Sequence, residues 1–183
     1  MTNSRITQIS KFLSKFLRHS PDKLGITLDS GGWVDIDSLL LACYKYDFTI
    51  SLEELVNTVK LDDKQRFTTR AGKIRATQGH SIPVDLGLEV AIPPVVLYHG
   101  TCTKFLDSIL NKGLTKQKRH HVHLTDDKAI AHSVGARYGE PVVLTVSSYQ
   151  MFNDDYDFYL SENDVWLTDN VPVEYIKTNG LLD

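Results

Sequence analysis

Apolar residues recur at helical spacing near the start of the chain: Ile6, Ile9, Phe12, Leu13, Phe16 and Leu17. That spacing predicts an amphipathic helix over residues 5–18. Pro21 disfavours helical backbone at Ser20, so the helix ends near His19. Leu24 to Leu28 reads as a short strand, and Gly31-Gly32 as a turn. Val34 and Ile36 alternate briefly before a helix through Leu39, Leu40 and Leu41, which Asp35 or Asp37 caps. Ser51 followed by Glu54 is a capping box. It opens a helix with an apolar face of Leu52, Leu55, Val56 and Val59. After a turn at Asp62-Asp63, Arg66-Phe67-Thr68 and Ile74 to Thr77 flank Arg70-Ala71-Gly72-Lys73 as a hairpin.

Periodicity breaks over residues 82–94, where Pro83, Gly87, Pro93 and Pro94 cluster. Beyond it the style changes. Val95 to His99 reads as a strand, and Phe105, Ile109 and Leu110 lie on a short helix that Gly113 ends. His121 to Leu124 is a strand, after which Thr125 caps a helix through Ala129, Ile130 and Val134. Pro141 to Val146 is the strongest strand pattern of the chain. Phe158–Leu160, Val165–Leu167 and Val173–Ile176 are further short strands. The fold class is therefore α+β. Three helices followed by a two-stranded wing is the order of a winged-helix module. The expected division is 1–85, a linker over 86–94, and a β-rich lobe over 95–183.

The 183 residues suffice for one domain or two small ones. An apolar fraction of 42% with 23% charged residues is that of a soluble globular protein. Nothing resembles a membrane span or a signal peptide. Cys43 and Cys102 are isolated, which points to a reduced, cytoplasmic setting. A formal net charge of -3 removes the global basic signature of many nucleic-acid binders. An anionic ligand must therefore be held by local clusters.

The densest such cluster is Arg119-His120-His121-Val122-His123-Leu124-Thr125, preceded by Lys112, Lys116 and Lys118. On a strand, His121 and His123 share one face while Val122 and Leu124 point to a core. The run suits an anion, a metal or a proton, against the plain alternative of a solvated basic loop. Further metal ligands are not evident, so no metal is expected. Arg18-His19 falls at a helix C-terminus, where cations are favoured in any case. There an arginine can also clamp a phosphate and a histidine can supply a proton. Arg66 on the hairpin reads first as a surface residue. Gln78-Gly79-His80-Ser81 is either an ordinary turn or a set of donors for phosphate oxygens. His99-Gly100-Thr101 ends a strand, and Gly135-Ala136-Arg137 is a weak glycine signal. Rossmann and P-loop motifs are absent.

Taken together, and in this order, seven segments resemble the RNA 2'-phosphotransferase family, NAD-dependent enzymes associated with tRNA splicing. They are Phe16-Leu17-Arg18-His19, Gly32-Trp33-Val34, Asp63-Lys64-Gln65-Arg66-Phe67, Ala76-Thr77-Gln78-Gly79-His80-Ser81, His99-Gly100-Thr101, Arg119 to Thr125, and Gly135-Ala136-Arg137. The resemblance implies an N-terminal winged-helix-like lobe that binds RNA and a C-terminal ADP-ribosyltransferase-like lobe that binds NAD, with a cleft between them. It implies that an internal RNA 2'-phosphate attacks NAD, expels nicotinamide and forms an ADP-ribosylated RNA 2'-phosphate. This then yields RNA with a 2'-OH and ADP-ribose 1'',2''-cyclic phosphate. On this resemblance Arg18, His19, Arg66 and Arg119 are catalytic. His99, Gly100, Thr101, His121, His123, Thr125, Gly135 and Arg137 bind NAD, and Gln78, His80 and Ser81 meet RNA. A monomer acting on RNA away from membranes is expected. The competing readings are an ADP-ribosyltransferase acting on nucleic-acid phosphate ends and a non-enzymatic NAD sensor.

Overall fold

The first helix buries Ile9, Leu13, Phe16 and Leu17, the stripe its periodicity marks. In the computed structural model, which describes residues 2–178, the chain divides into two compact units, Met1–Gly87 and Leu88–Asp183. Both mix helices with small antiparallel sheets, an α+β organisation. No helix among the described residues is long and apolar enough to cross a membrane.

The first unit runs α1 (Asn3–Arg18), α2 (Pro21–Leu24), β1 (Val34–Asp35), α3 (Ile36–Lys45), α4 (Leu52–Leu61), β2 (Phe67–Arg70) and β3 (Lys73–Ala76). Local chemistry explains most boundaries. Asp35 caps α3 by accepting from the Ser38 amide at 2.9 Å. Ser51 and Glu54 form the reciprocal capping box of α4. Ala71 and Gly72 both adopt left-handed backbone, at φ 48 and 75, so a two-residue turn joins β2 to β3 in the twist that hairpins favour. β1 pairs on the outer side of β3, completing a three-stranded sheet in the order β1-β3-β2. Arg5 ties α1 to the start of α4 through Glu54 at 2.8 Å and the Thr49 carbonyl at 2.6 Å.

Two expectations fail in this unit. Leu24–Leu28 is no strand. Pro21 opens a single helical turn instead, and Gly25 and Ile26 close it by donating to Asp22 and Pro21 carbonyls. The buried stripe of α4 is Leu55 with Thr58, and Val59 is half-buried, while Leu52 and Val56 are half exposed. Thr58 is tolerated in the core because its hydroxyl donates to the Glu54 carbonyl at 2.7 Å.

The second unit runs β4 (Leu97–Cys102), α5 (Thr103–Lys112), β5 (Leu114–Thr115), β6 (Val122–Leu124), α6 (Lys128–Gly135), β7 (Pro141–Val146), α7 (Ser148–Asn153), β8 (Tyr159–Leu160), β9 (Trp166–Thr168), β10 (Asn170–Val171), a 3₁₀ turn at Val173–Tyr175, and β11 (Ile176–Thr178). The strongly patterned β7 is the centre of the β11-β7-β4 sheet. A second sheet has the order β6-β9-β8, and β5 pairs with β10. Leu97, Leu144, Val146, Met151 and Phe158 are fully enclosed between these layers, each contributing about 1.5–3 kcal/mol by leaving water.

Three expectations are corrected here. The first strand begins at Leu97, not Val95, which is exposed. Asp127 caps α6 by accepting from the Ala129 and Ile130 amides, whereas the Thr125 hydroxyl accepts from the Asp127 amide two residues on. Ala131 and Gly135 form the buried side of α6, and Ile130 faces out. Val173–Ile176 begins as a 3₁₀ turn after Pro172, held by a 2.7 Å bond from the Tyr175 phenol to Asp154. That bond pushes the Tyr175 pKa up to about 12. Cys43 and Cys102 are buried free thiols, and burial pushes Cys43 up to about 11.

Candidate functional site

In the first unit, three separate segments meet at the end of α1. His19 closes the helix, its amide donating to the Lys15 carbonyl at 3.1 Å. The Ser81 amide donates to the Arg18 carbonyl at 2.9 Å, and the Ser81 hydroxyl lies 2.9 Å from His19 Nδ1. The Arg18 guanidinium donates to the Arg66 carbonyl at 3.4 Å. Thr77 donates its amide to that same carbonyl at 3.0 Å. Arg18, His19, Arg66 and the 78–81 loop therefore form one constellation. His80 is turned inward, 2% exposed, beneath the Gly31-Gly32 turn. Gln78 is half-buried and Ser81 exposed.

Asp62 organises the Arg66 side of this constellation, a role its sequence context did not single out. Its side chain is 3% exposed, and it pairs with the Arg66 guanidinium. It also accepts from the Arg66 amide at 2.8 Å and the Lys64 amide at 3.4 Å. Gln65 takes a left-handed backbone, φ 43, between these contacts. Its carbonyl accepts from the Thr77 hydroxyl at 3.1 Å. Arg66 is thus fixed at its amide, its carbonyl and its guanidinium. An aspartate four residues before an arginine, across a tight turn, is the only sequence trace of this.

In the second unit, His99 and Arg119 both reach His123. His99 Nδ1 lies 3.0 Å from the His123 carbonyl. A carbonyl only accepts, so Nδ1 carries the proton and Nε2 presents a lone pair. Burial lowers the His99 pKa, the His123 carbonyl bond raises it, and the charge of Arg119 lowers it further; the balance is a lowered value and a neutral ring. The Arg119 guanidinium, which only donates, lies 2.8 Å from His123 Nδ1. That ring then carries its proton on Nε2. Arg119 itself is exposed. His121 sits at the bend before β6 with its ring 5.6 Å from that of Tyr159. Burial lowers its pKa against the opposing influence of Asp169. The His120 ring lies 6.5 Å from that of His121.

β4 alternates faces, so His99 and Thr101 share one side and Gly100 the other. Gly100 and Gly135 serve the packing of α6 on β4. A Cβ on Gly100 would stand 1.8 Å from the Ala131 carbonyl oxygen, and one on Gly135 would stand 2.2 Å from that of Thr101. Only their backbones remain to meet a ligand. Thr125 exchanges two backbone bonds with Tyr98, at 2.7 and 3.0 Å, joining β4 to the end of β6. Arg137 is exposed beyond the end of α6. No three His, Cys, Asp or Glu side chains among the described residues gather as metal ligands would.

The second unit therefore offers a neutral imidazole with a free lone-pair position, a hydroxyl on the same face and a nearby guanidinium. The first offers two guanidiniums and an imidazole. A family model described as RNA 2'-phosphotransferase, Tpt1 / KptA family, matches residues 4–170. A protein of Nostoc punctiforme named "Probable RNA 2'-phosphotransferase" is 52% identical over 179 residues, covering 97% of this chain and 99% of its own. A protein of the same name from Flavobacterium johnsoniae is 49% identical over 179 residues, covering 97% of this chain and 98% of its own. Another, from Streptomyces coelicolor, is 48% identical over 177 residues, covering 97% of each chain. These matches run through both units and take in every candidate residue from Arg18 to Arg137. The chain belongs to the RNA 2'-phosphotransferase family.

Proposed function

We propose that this protein is an NAD-dependent RNA 2'-phosphotransferase. It transfers an internal 2'-phosphate from RNA to the ADP-ribose part of NAD, leaving a 2'-OH on the RNA and releasing nicotinamide and ADP-ribose 1'',2''-cyclic phosphate. The observation that carries the reading is the constellation of Arg18, His19 and Arg66, three cationic or proton-bearing side chains brought from two segments of a family member. A winged-helix-like first lobe binding RNA and an ADP-ribosyltransferase-like second lobe binding NAD are part of the same reading.

The chemistry asks for what these residues supply. The RNA 2'-phosphate is an anionic nucleophile, and the later attack on its phosphorus crowds further negative charge around that atom. Fixed guanidiniums stabilise such charge without having to reorganise. Arg18, Arg66 and Arg119 are assigned to the phosphate oxygens. His19 orients the phosphate or accepts the proton of the attacking ribose hydroxyl, with Ser81 holding its ring. NAD supplies the electrophilic ribose carbon and the leaving nicotinamide. The donor set of the second unit fits it: His99 Nε2 can accept from a ribose hydroxyl, and Thr101 on the same face offers a hydroxyl. His123 Nε2–H is a further donor beside Arg119.

Incubation with an internally 2'-phosphorylated oligoribonucleotide, with and without NAD, tests the reading. Conversion to the 2'-OH product only with NAD, with one cyclic phosphate per turnover, is expected. Phosphate release without NAD, or no release at all, contradicts it.

A further inference from the structure

A concavity of about 720 Å³ lies on the first unit along the outward side of α1 and the end of α4. Ser10, Lys11, Ser14 and Lys15 line one wall, and His19 and Arg66 also border it. We propose that this groove seats the ribose–phosphate backbone of RNA adjoining the 2'-phosphorylated nucleotide, with Lys11 and Lys15 on neighbouring backbone phosphates. The proposal rests on the phosphotransfer reading, from which it takes the position of the modified nucleotide at His19 and Arg66.

Spacing supports it first. Lys11, Lys15 and His19 recur every four residues, so they line one stripe of the helix. At about 1.5 Å rise per residue, each step advances roughly 6 Å, comparable to the stride between backbone phosphates on an RNA strand. The stripe leads directly to a residue assigned to the 2'-phosphate. Ser10 and Ser14 add hydroxyls one turn apart that can donate to phosphate oxygens or pair with ribose hydroxyls.

Charge supports it next. The acidic residues on the groove are Asp62 and Asp63. Asp62 is engaged by Arg66, and Asp63, largely exposed, lies 3.7 Å from the same guanidinium. Among the described residues neither lysine has an ion-pair partner, and Lys15 Nζ rests 4.8 Å from the Phe16 ring centre. Two cations thus stand available on a protein whose net charge is -3. Rigidity supports it last. The opposite side of α1 is locked into the core by Ile9, Leu13, Phe16 and Leu17, so the stripe is held in place before RNA arrives.

The test compares a 2'-phosphorylated dinucleotide with a 2'-phosphorylated oligonucleotide extended on both sides, using the Lys11→Ala/Lys15→Ala variant. Both lysines are exposed and alanine is a strong helix former, so the fold is retained. For the long substrate, KM should rise roughly tenfold at low salt, and the dependence of log affinity on log salt should flatten by about 0.7 per lysine. The dinucleotide should be turned over unchanged, as should the kcat of the long substrate. An unchanged KM for the long substrate overturns the groove, as does an equal rise for both substrates. If the unsubstituted protein turned over neither, the phosphotransfer reading would fall. Fluorescence anisotropy of the long oligonucleotide would then decide the groove by the same tenfold criterion.

Discussion

The proposed function puts Arg66 and Arg119 on one phosphate, and each unit holds its own arginine by a different means. Arg66 is gripped by a nearly buried carboxylate that also binds its amide, while its carbonyl takes bonds from Thr77 and Arg18. Arg119 is exposed and leans on a neutral imidazole. A carboxylate–guanidinium pair fixes both position and charge. A guanidinium on a neutral ring keeps its full charge and can leave at little cost. The first unit thus presents a preset cation, and the second an adjustable one. The candidate residues of the first unit sit at element ends, fixed by backbone hand-offs between segments. In the second, His99, Gly100, Thr101 and His123 are fixed by strand register, while Arg119, His121, Gly135 and Arg137 lie outside the strands.

The largest expected effects come from the arginines themselves. Arg66→Ala or Arg119→Ala should each lower single-turnover transfer by roughly 10²–10³-fold, the cost of losing one cationic donor to a developing charge. Rapid-quench assays with saturating NAD would measure it, and wild-type rates in either variant would break the shared assignment. Asp62 sharpens the contrast. Asp62→Ala should lower kcat/KM by about ten- to a hundredfold through misplacement of Arg66. Asp62→Asn, which keeps an acceptor for the Arg66 amide, should recover part of that loss. Equal defects in the two variants would mean that charge alone matters.

A third prediction concerns only the second unit. Gly100→Ala places a methyl group within 1.8 Å of the Ala131 carbonyl oxygen. It should cost about 2–3 kcal/mol of stability, because α6 must back away from β4. Thermal unfolding would show the loss, and an unchanged midpoint would contradict the packing role. The smallest effect is in pH. The folded-state pKa of His99 lies below its unfolded value of about 6.5. The unfolded chain therefore binds more protons in that interval. The contribution of His99 to stability is full above about pH 6.5 and declines as pH falls towards the folded pKa. His99→Gln should flatten this part of the stability profile, as denaturant melts between pH 5 and 7 would reveal. An unaltered slope would show that His99 is not buried neutral.

What the sequence disclosed follows the range of the interactions involved. Helices with local caps, such as Ser51 with Glu54, and the Ala71-Gly72 hairpin were legible because their determinants lie within a few residues. The buried face of α4 departs from its apolar pattern because Thr58 enters the core through its bond to the Glu54 carbonyl, which an apolar count overlooks. The Val173–Tyr175 turn depends on Asp154, 21 residues away. The pairing of His99 with the His123 carbonyl spans 24 residues and two sheets. Motifs could nominate both residues but not the tautomer that their contact imposes. Asp62 was visible only as a turn residue, since its importance lies in burial.

The central claim, that a preset and an adjustable guanidinium serve one phosphate, is tested most directly by a double-mutant cycle. Single-turnover transfer would be measured for Arg66→Ala, Arg119→Ala and the double variant on one 2'-phosphorylated RNA. Groups acting as a unit are non-additive. The account predicts that the double variant is much less impaired than the product of the two single defects. A double defect equal to that product would contradict it.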